Sequence, residues 1–192
     1  MINPMNRLCL PLLTAFTLAS ALPAGNAAAQ TMDFDCPAPG TTFVFDSGTR
    51  TVARGRTGMD CDMQVVGGAP FKLRGLLIAN PGPDGSDMTA FTAALRPERL
   101  WPLEVGKKIE ARYSTSKGSW NYLLSVVRYE KRSGPRDALI DTFVIEMNEQ
   151  GAGSHRAISR WWISPVEKYA IRFDYSDSNG GANRAVVTEV TR

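Results

Sequence analysis

From residue 30 onward apolar and polar positions alternate with a period of two, and Gly, Asn, Asp and Ser punctuate the runs. That pattern predicts β-strands joined by short turns, each strand burying one face and wetting the other. Phe43 and Phe45 share a face ahead of the turn residues Asp46, Ser47 and Gly48; TRTVARG then leads into DMQVV, and Gly67 with Gly68 marks the next turn. Phe71, Leu73 and Leu77 alternate with Lys72, Arg74 and Leu76, which predicts one more strand. Residues 30–79 therefore read as an N-terminal β-meander.

Residues 80–88 (NPGPDGSDM) are dense in Pro, Gly and Asp and read as a linker. The stretch MTAFTAALRPERLW predicts a short helix, with Asp87 as its N-cap and Pro97 setting its end, so that 80–100 is linker plus helix. Strands return at Trp101. Ile109, Ala111 and Tyr113 alternate, Lys117 and Gly118 turn the chain into the long apolar WNYLLSVVRYEK, and Phe143, Ile145 and Met147 follow. After the GAG turn at 151–153 comes HRAISRWWI, then the aromatic face of Tyr169, Ile171, Phe173 and Tyr175. Asn179, Gly180 and Gly181 make a hairpin signal before RAVVTEVT. About six strands with hairpin-length connections favour antiparallel pairing. The expected fold class is all-β with minor α: a curved antiparallel sheet or half-barrel over 101–192, preceded by the small meander.

Residues 1–29 break this pattern. Arg7 precedes the apolar run LCLPLLTAFTLASAL, and Ala27, Ala28 and Ala29 stand just before Gln30. This is the form of a secretory signal peptide, interrupted by Pro11 and Pro23 and too short for a membrane span. The mature chain is expected to begin near Gln30, in the periplasm, with secretion to the exterior as the other destination. It would hold about 160 residues, one ordinary domain with or without a small extension, and no transmembrane span. Arg7 is the one charged side chain of the leader, so 21 basic against 19 acidic side chains remain. Such a balanced surface argues against a nucleic-acid binder.

Of the three cysteines, Cys9 leaves with the leader. Cys36 and Cys61 are then expected to pair in an oxidising compartment, stapling the meander. A metal site is poorly served, since only His155 is left to join two thiols, and no cofactor is implied. No lipobox surrounds Cys9 or Cys36, which predicts a soluble protein without a lipid anchor.

Four further stretches carry a resemblance: WPLEVGKK at 101–108, the strand holding Val126, Val127 and Glu130, DTFVIE at 141–146, and WWISPVEKYAIRFDY at 161–175. In these the second part of the chain resembles a broad group of exported bacterial proteins of unknown function, similar in shape to the periplasmic lipoprotein carriers (LolA/LolB-like). The resemblance implies an antiparallel half-barrel over residues 101–192 and carries over no catalytic machinery. The chain departs from the pattern at KRSGPRDALIDTF, which is longer and more charged than the turn such proteins place there, and the meander lies outside the match.

Chemistry-bearing residues are sparse. Ser154 and His155 are neighbours and point to opposite faces of a strand, no G-x-S-x-G elbow is present, and an exposed histidine beside a glycine turn is the commoner outcome. A triad built from distant residues such as Ser159 and an Asp, or a carboxylate pair drawn from Glu146, Glu149, Asp174 and Asp177 acting on a cell-wall polymer, would make an envelope hydrolase; carboxylates alternating with apolar residues are more often a wet strand face. The acidic turns PDGSD and DYSDSNGG miss the EF-hand register and read as Asx turns. Lys107, Lys108, Arg112, Lys117 and Arg128 read as a weak cationic patch or as a protected edge.

The aromatics are the stronger signal. Trp101, Trp120, Trp161, Trp162 and Tyr169 are the candidate ligand or partner surface, and Trp161 and Trp162 must face opposite sides of a regular strand. The leading expectation is a non-enzymatic binding protein of the cell envelope that holds an apolar ligand or lipid on the concave face, with peripheral membrane contact. The alternative is a structural or protein-interaction module of the envelope.

Overall fold

The computed structural model describes residues 30–192 apart from 84, 117 and 152. The signal-peptide reading of residues 1–29 lies outside the described residues.

One short ribbon and one large sheet make up the fold. In chain order the strands are β1 (Thr31–Met32), β2 (Thr42–Phe45), β3 (Arg50–Thr57), β4 (Asp60–Val65), β5 (Pro70–Arg74) and β6 (Ile78–Ala79). The helix α1 (Thr89–Leu95) and a 3-10 turn at Pro97–Leu100 come next. The remaining strands are β7 (Leu103–Glu104), β8 (Lys108–Thr115), β9 (Gly118–Ser133), β10 (Leu139–Gln150), β11 (Arg156–Ser164), β12 (Tyr169–Asp177) and β13 (Ala182–Thr191). β1 and β7 pair with each other; all the rest form an 11-stranded antiparallel sheet in the order β6-β5-β4-β3-β2-β13-β12-β11-β10-β9-β8. Both ends of that sheet are edges, so it is curved but not closed into a barrel, as the alternation predicts.

The N-terminal strands and the C-terminal strands meet at one seam, where β13 pairs with β12 through Ala182–Val186 and with β2 through Val187–Thr191. Asp46 holds the join: its backbone N–H donates to the Val186 carbonyl at 2.8 Å, and its Oδ1 accepts from the Val186 N–H at 3.1 Å. Cys36 and Cys61 form the expected disulfide, their Cα atoms 5.5 Å apart, and so fix the segment ahead of β2 to β4.

Two expectations need correction. The strand drawn through Leu77 ends at Arg74, because Gly75 and Leu76 both take positive φ (57° and 63°) and fold β6 back on β5. Two successive positive φ angles make the tight turn whose twist suits a hairpin. Gly75 meets this at no steric cost, while Leu76 is only 1 % exposed and its burial offsets the strain. The helix, in turn, begins with Met88 at its N-cap. Asp87 stands one residue earlier and accepts from the Thr89 N–H at 2.9 Å. The helix stops at Arg96, which adopts a left-handed conformation ahead of Pro97.

The core lies on the inner face of the curve. Across β8–β9 it is covered: Phe91 of α1 sets its ring edge-on against Tyr113 and Tyr122, at 5.6 and 5.2 Å. Leu100 and Leu103 are fully buried beside it. Across β11–β13 no helix covers the inner face among the described residues, and there the N-terminal strands curl over it instead.

Candidate functional site

A groove of about 570 Å³ opens where the N-terminal strands β2–β6 face β11–β13. Phe71 and Leu73 of β5 and Leu77 form one wall, Trp161 of β11 and Phe173 of β12 the other, with Phe45 between them. The register explains why these side chains meet. Ile145, Trp161, Phe173 and Ala185 form a continuous row across β10 to β13, all on the inner face. Tyr169 closes the groove from below, stacked on Phe43 with ring centroids 4.1 Å apart. Burial pushes the Tyr169 hydroxyl up to about 12, so it stays neutral across the working pH range.

The outer face carries charge. In the next row Glu146, Arg160, Asp174 and Arg184 alternate in sign across β10 to β13. Arg160 donates to Glu146 Oε2 at 2.6 Å. Burial works to raise Glu146, and hydrogen bonds from Asn148 and Arg160 outweigh it and hold the carboxyl below its usual range. Asp174 is gripped by Arg172 two residues earlier on its own strand, at 2.5 to 3.1 Å. Its cross-strand neighbour Arg184 is left with no carboxylate partner among the described residues.

Trp162 sits on this outer face and is nonetheless 3 % exposed. Arg132 and Arg172 lie over its ring at 5.1 and 4.9 Å, and its Nε1–H donates to Glu130 Oε1 at 2.8 Å. Arg128 also binds Glu130, at 2.7 Å, and with Trp162 it holds that carboxyl below its ordinary value despite partial burial. Beside this cluster lies a second cleft, of about 590 Å³, whose basic side chains are Lys131, Arg132, Arg136, Arg172 and Arg184. Asp137 is the one carboxylate in its lining. Lys131 and Arg136 reach outward to Asp141 and Glu189, at 3.4 and 3.1 Å.

The five aromatic candidates therefore occupy separate places. Trp161 and Tyr169 share the groove. Trp162 lies behind it, under guanidinium groups rather than under a loop or the helix. Trp101 anchors the β5–β6 turn, donating from Nε1 to the Gly75 carbonyl at 2.9 Å. A Cβ on Gly75 would come within 3.0 Å of that same nitrogen, so glycine is required there by space as well as by φ. Trp120 packs over Gly151 at the far end of the sheet, where an added Cβ would stand 2.5 Å from its Nε1 and 3.1 Å from His155.

His155 is half-buried rather than exposed, and its Nε2 lies 3.2 Å from Glu149 Oε1. Among the described residues no three His, Cys, Asp or Glu side chains gather as a metal site. No helix among them is long and apolar enough to cross a membrane.

No protein-family model matches this chain, and no curated protein does. Among solved structures it is similar to a hypothetical lipoprotein, YmcC, from Escherichia coli K12. That likeness has a TM-score of 0.45 and 8% identity over 79% of this chain and 84% of the other. At that level the likeness carries no weight for function.

Sequence reasoning had placed Phe45, Leu73 and Phe173 on buried strand faces without bringing them together. It missed the outer cleft altogether: Arg132, Arg172 and Arg184 are scattered over three strands, and each alone looks like a solvated position.

Proposed function

We propose that this chain is an exported protein of the cell envelope that acts by binding, not catalysis, and holds an apolar ligand in the groove between Phe71, Leu73, Trp161 and Phe173. The groove carries the reading. At about 570 Å³ its volume falls in the range of roughly 300–1,000 Å³ typical of small-molecule sites, and its walls are aromatic and aliphatic as such sites are. The groove is open to solvent, whereas α1 covers the inner face over β8–β9. The signal-peptide pattern of residues 1–29 and the Cys36–Cys61 disulfide both favour an oxidising destination outside the cytoplasm.

Titration with the apolar fluorophore N-phenyl-1-naphthylamine tests it. Saturable binding is expected, accompanied by a change in tryptophan emission because Trp161 lines the groove. Ala185→Trp, which projects a large ring from β13 into the groove, is expected to weaken binding at least ~10-fold. Absence of saturable binding by the wild-type protein would overturn the reading in favour of an interaction module without a small ligand.

A further inference from the structure

The groove and the outer cleft sit on opposite faces of the sheet, yet Arg184 belongs to the lining of both. This follows from the seam. β13 pairs with β2 only from Val187 onward, so its first residues, Ala182–Ala185, have β12 on one side and no strand on the other. At that gap the two faces communicate around an unpaired strand edge, with exposed Arg184 at the rim.

The two hollows differ in chemistry. The groove is apolar. The cleft presents five basic side chains against one carboxylate. Lys131, Arg136 and Arg172 have carboxylate partners of their own, whereas Arg132 rests on the Trp162 ring and Arg184 has no ion-pair partner among the described residues. Arg184 is left without a carboxylate and Arg132 has near it only Glu130, already bonded by Arg128 and Trp162; beside a cleft, both are arranged to receive an anion, since the planar fork matches phosphate or carboxylate oxygens.

Resting on the apolar-ligand reading above, we infer that the ligand is an anionic amphiphile: its chain lies in the groove, passes the gap beside Ala182–Ala185, and its phosphate-type head meets Arg184 and Arg132 in the outer cleft. A neutral apolar molecule would use the groove alone, and a free anion the cleft alone. The rim position of Arg184 is what ties the two together.

Calorimetric titration with dodecyl phosphate, dodecanol and inorganic phosphate, each below any micelle concentration, separates these cases. Dodecyl phosphate is expected to bind roughly tenfold more tightly than dodecanol, and much more tightly than phosphate. In the Arg132→Gln/Arg184→Gln variant that preference is expected to disappear, the two chain-bearing compounds then binding the variant equally. Both side chains reach solvent, so the fold should tolerate the change, and the comparison of the three compounds on wild-type protein stands without it. Equal binding of dodecyl phosphate and dodecanol would overturn the anionic head and leave the apolar groove intact. Phosphate binding as tightly as dodecyl phosphate would show a free-anion site and overturn the amphiphile. Failure of both chain-bearing compounds would remove the apolar reading as well.

Discussion

Arg172 serves two neighbours at once, lying over the Trp162 ring at 4.9 Å while its guanidinium clamps Asp174. An indole that would otherwise be a sticky outer surface is thereby covered by charge, its one polar atom satisfied by Glu130. Glu130 pays a small desolvation cost and recovers it from Arg128 and Trp162, which keep its folded pKa below the unfolded value near 4.5. The sign follows from linkage. A carboxyl whose pKa is depressed on folding contributes stability above its unfolded pKa and loses it as pH falls through the folded one. Glu130→Gln is thus expected to lower the urea midpoint at pH 7, with the gap to wild type closing as both are acidified below pH ~4. A gap of the same size at pH 3 would rule out the ionised carboxylate as its source. At this scale the sequence was partly legible. The adjacency of Trp161 and Trp162 dictates opposite faces on a strand, and they take them. It does not say that guanidinium planes would bury the outer one, because Arg132 and Arg172 are brought there by register across distant strands.

Alternation made the elements themselves readable, because a half-buried strand must place every second side chain inward. The long strands β8 to β13 all follow from it. What alternation could not show was where backbone conformation overrules it. Gly75 and Leu76 continue the apolar sequence of β5 yet bend out of it, and the reason lies in a distant residue, Trp101, whose indole N–H waits for the Gly75 carbonyl. The helix is the other dependent element. At 7 residues α1 has no cap from its N-cap side chain, only the Asp87 contact to the Thr89 N–H, and is too short to hold itself together. Its stability comes from packing, with Leu95 buried and Phe91 set against Tyr113 and Tyr122. Phe91→Ala is expected to cost about 2 kcal/mol, less than the about 3–5 kcal/mol of a fully buried phenylalanine, because the ring is only partly enclosed. Amide hydrogen exchange should show α1 losing protection well before the strands of the large sheet; uniform loss would mean the helix is part of the global unit.

At the scale of the molecule, the disulfide and the seam do complementary work. The Cys36–Cys61 bridge closes a 25-residue separation, which in the chain-entropy model is worth roughly 3 kcal/mol. Asp35 beside it binds Arg56 at 3.3 Å and also Lys168 on the β11–β12 turn, so the stapled segment leans on both halves of the sheet. Reduction is therefore expected to lower the urea midpoint by an amount equivalent to roughly 3 kcal/mol while far-UV circular dichroism keeps its strand signature. An unchanged midpoint would show that the seam alone carries the N-terminal strands. That seam was illegible in the sequence, for nothing local connects Phe43 with Val190.

The same pairing has a consequence for how the chain comes to be folded. Asp46 and Val186 are separated by 140 residues, and neither β2 nor β12 has its second neighbour until β13 has been made. A growing chain thus carries the raw border of β2, with Phe43 and Phe45 on it, through most of its synthesis, and that of β12 only for the few residues before β13. Contacts so distant along the chain form slowly, and such borders invite pairing with foreign strands.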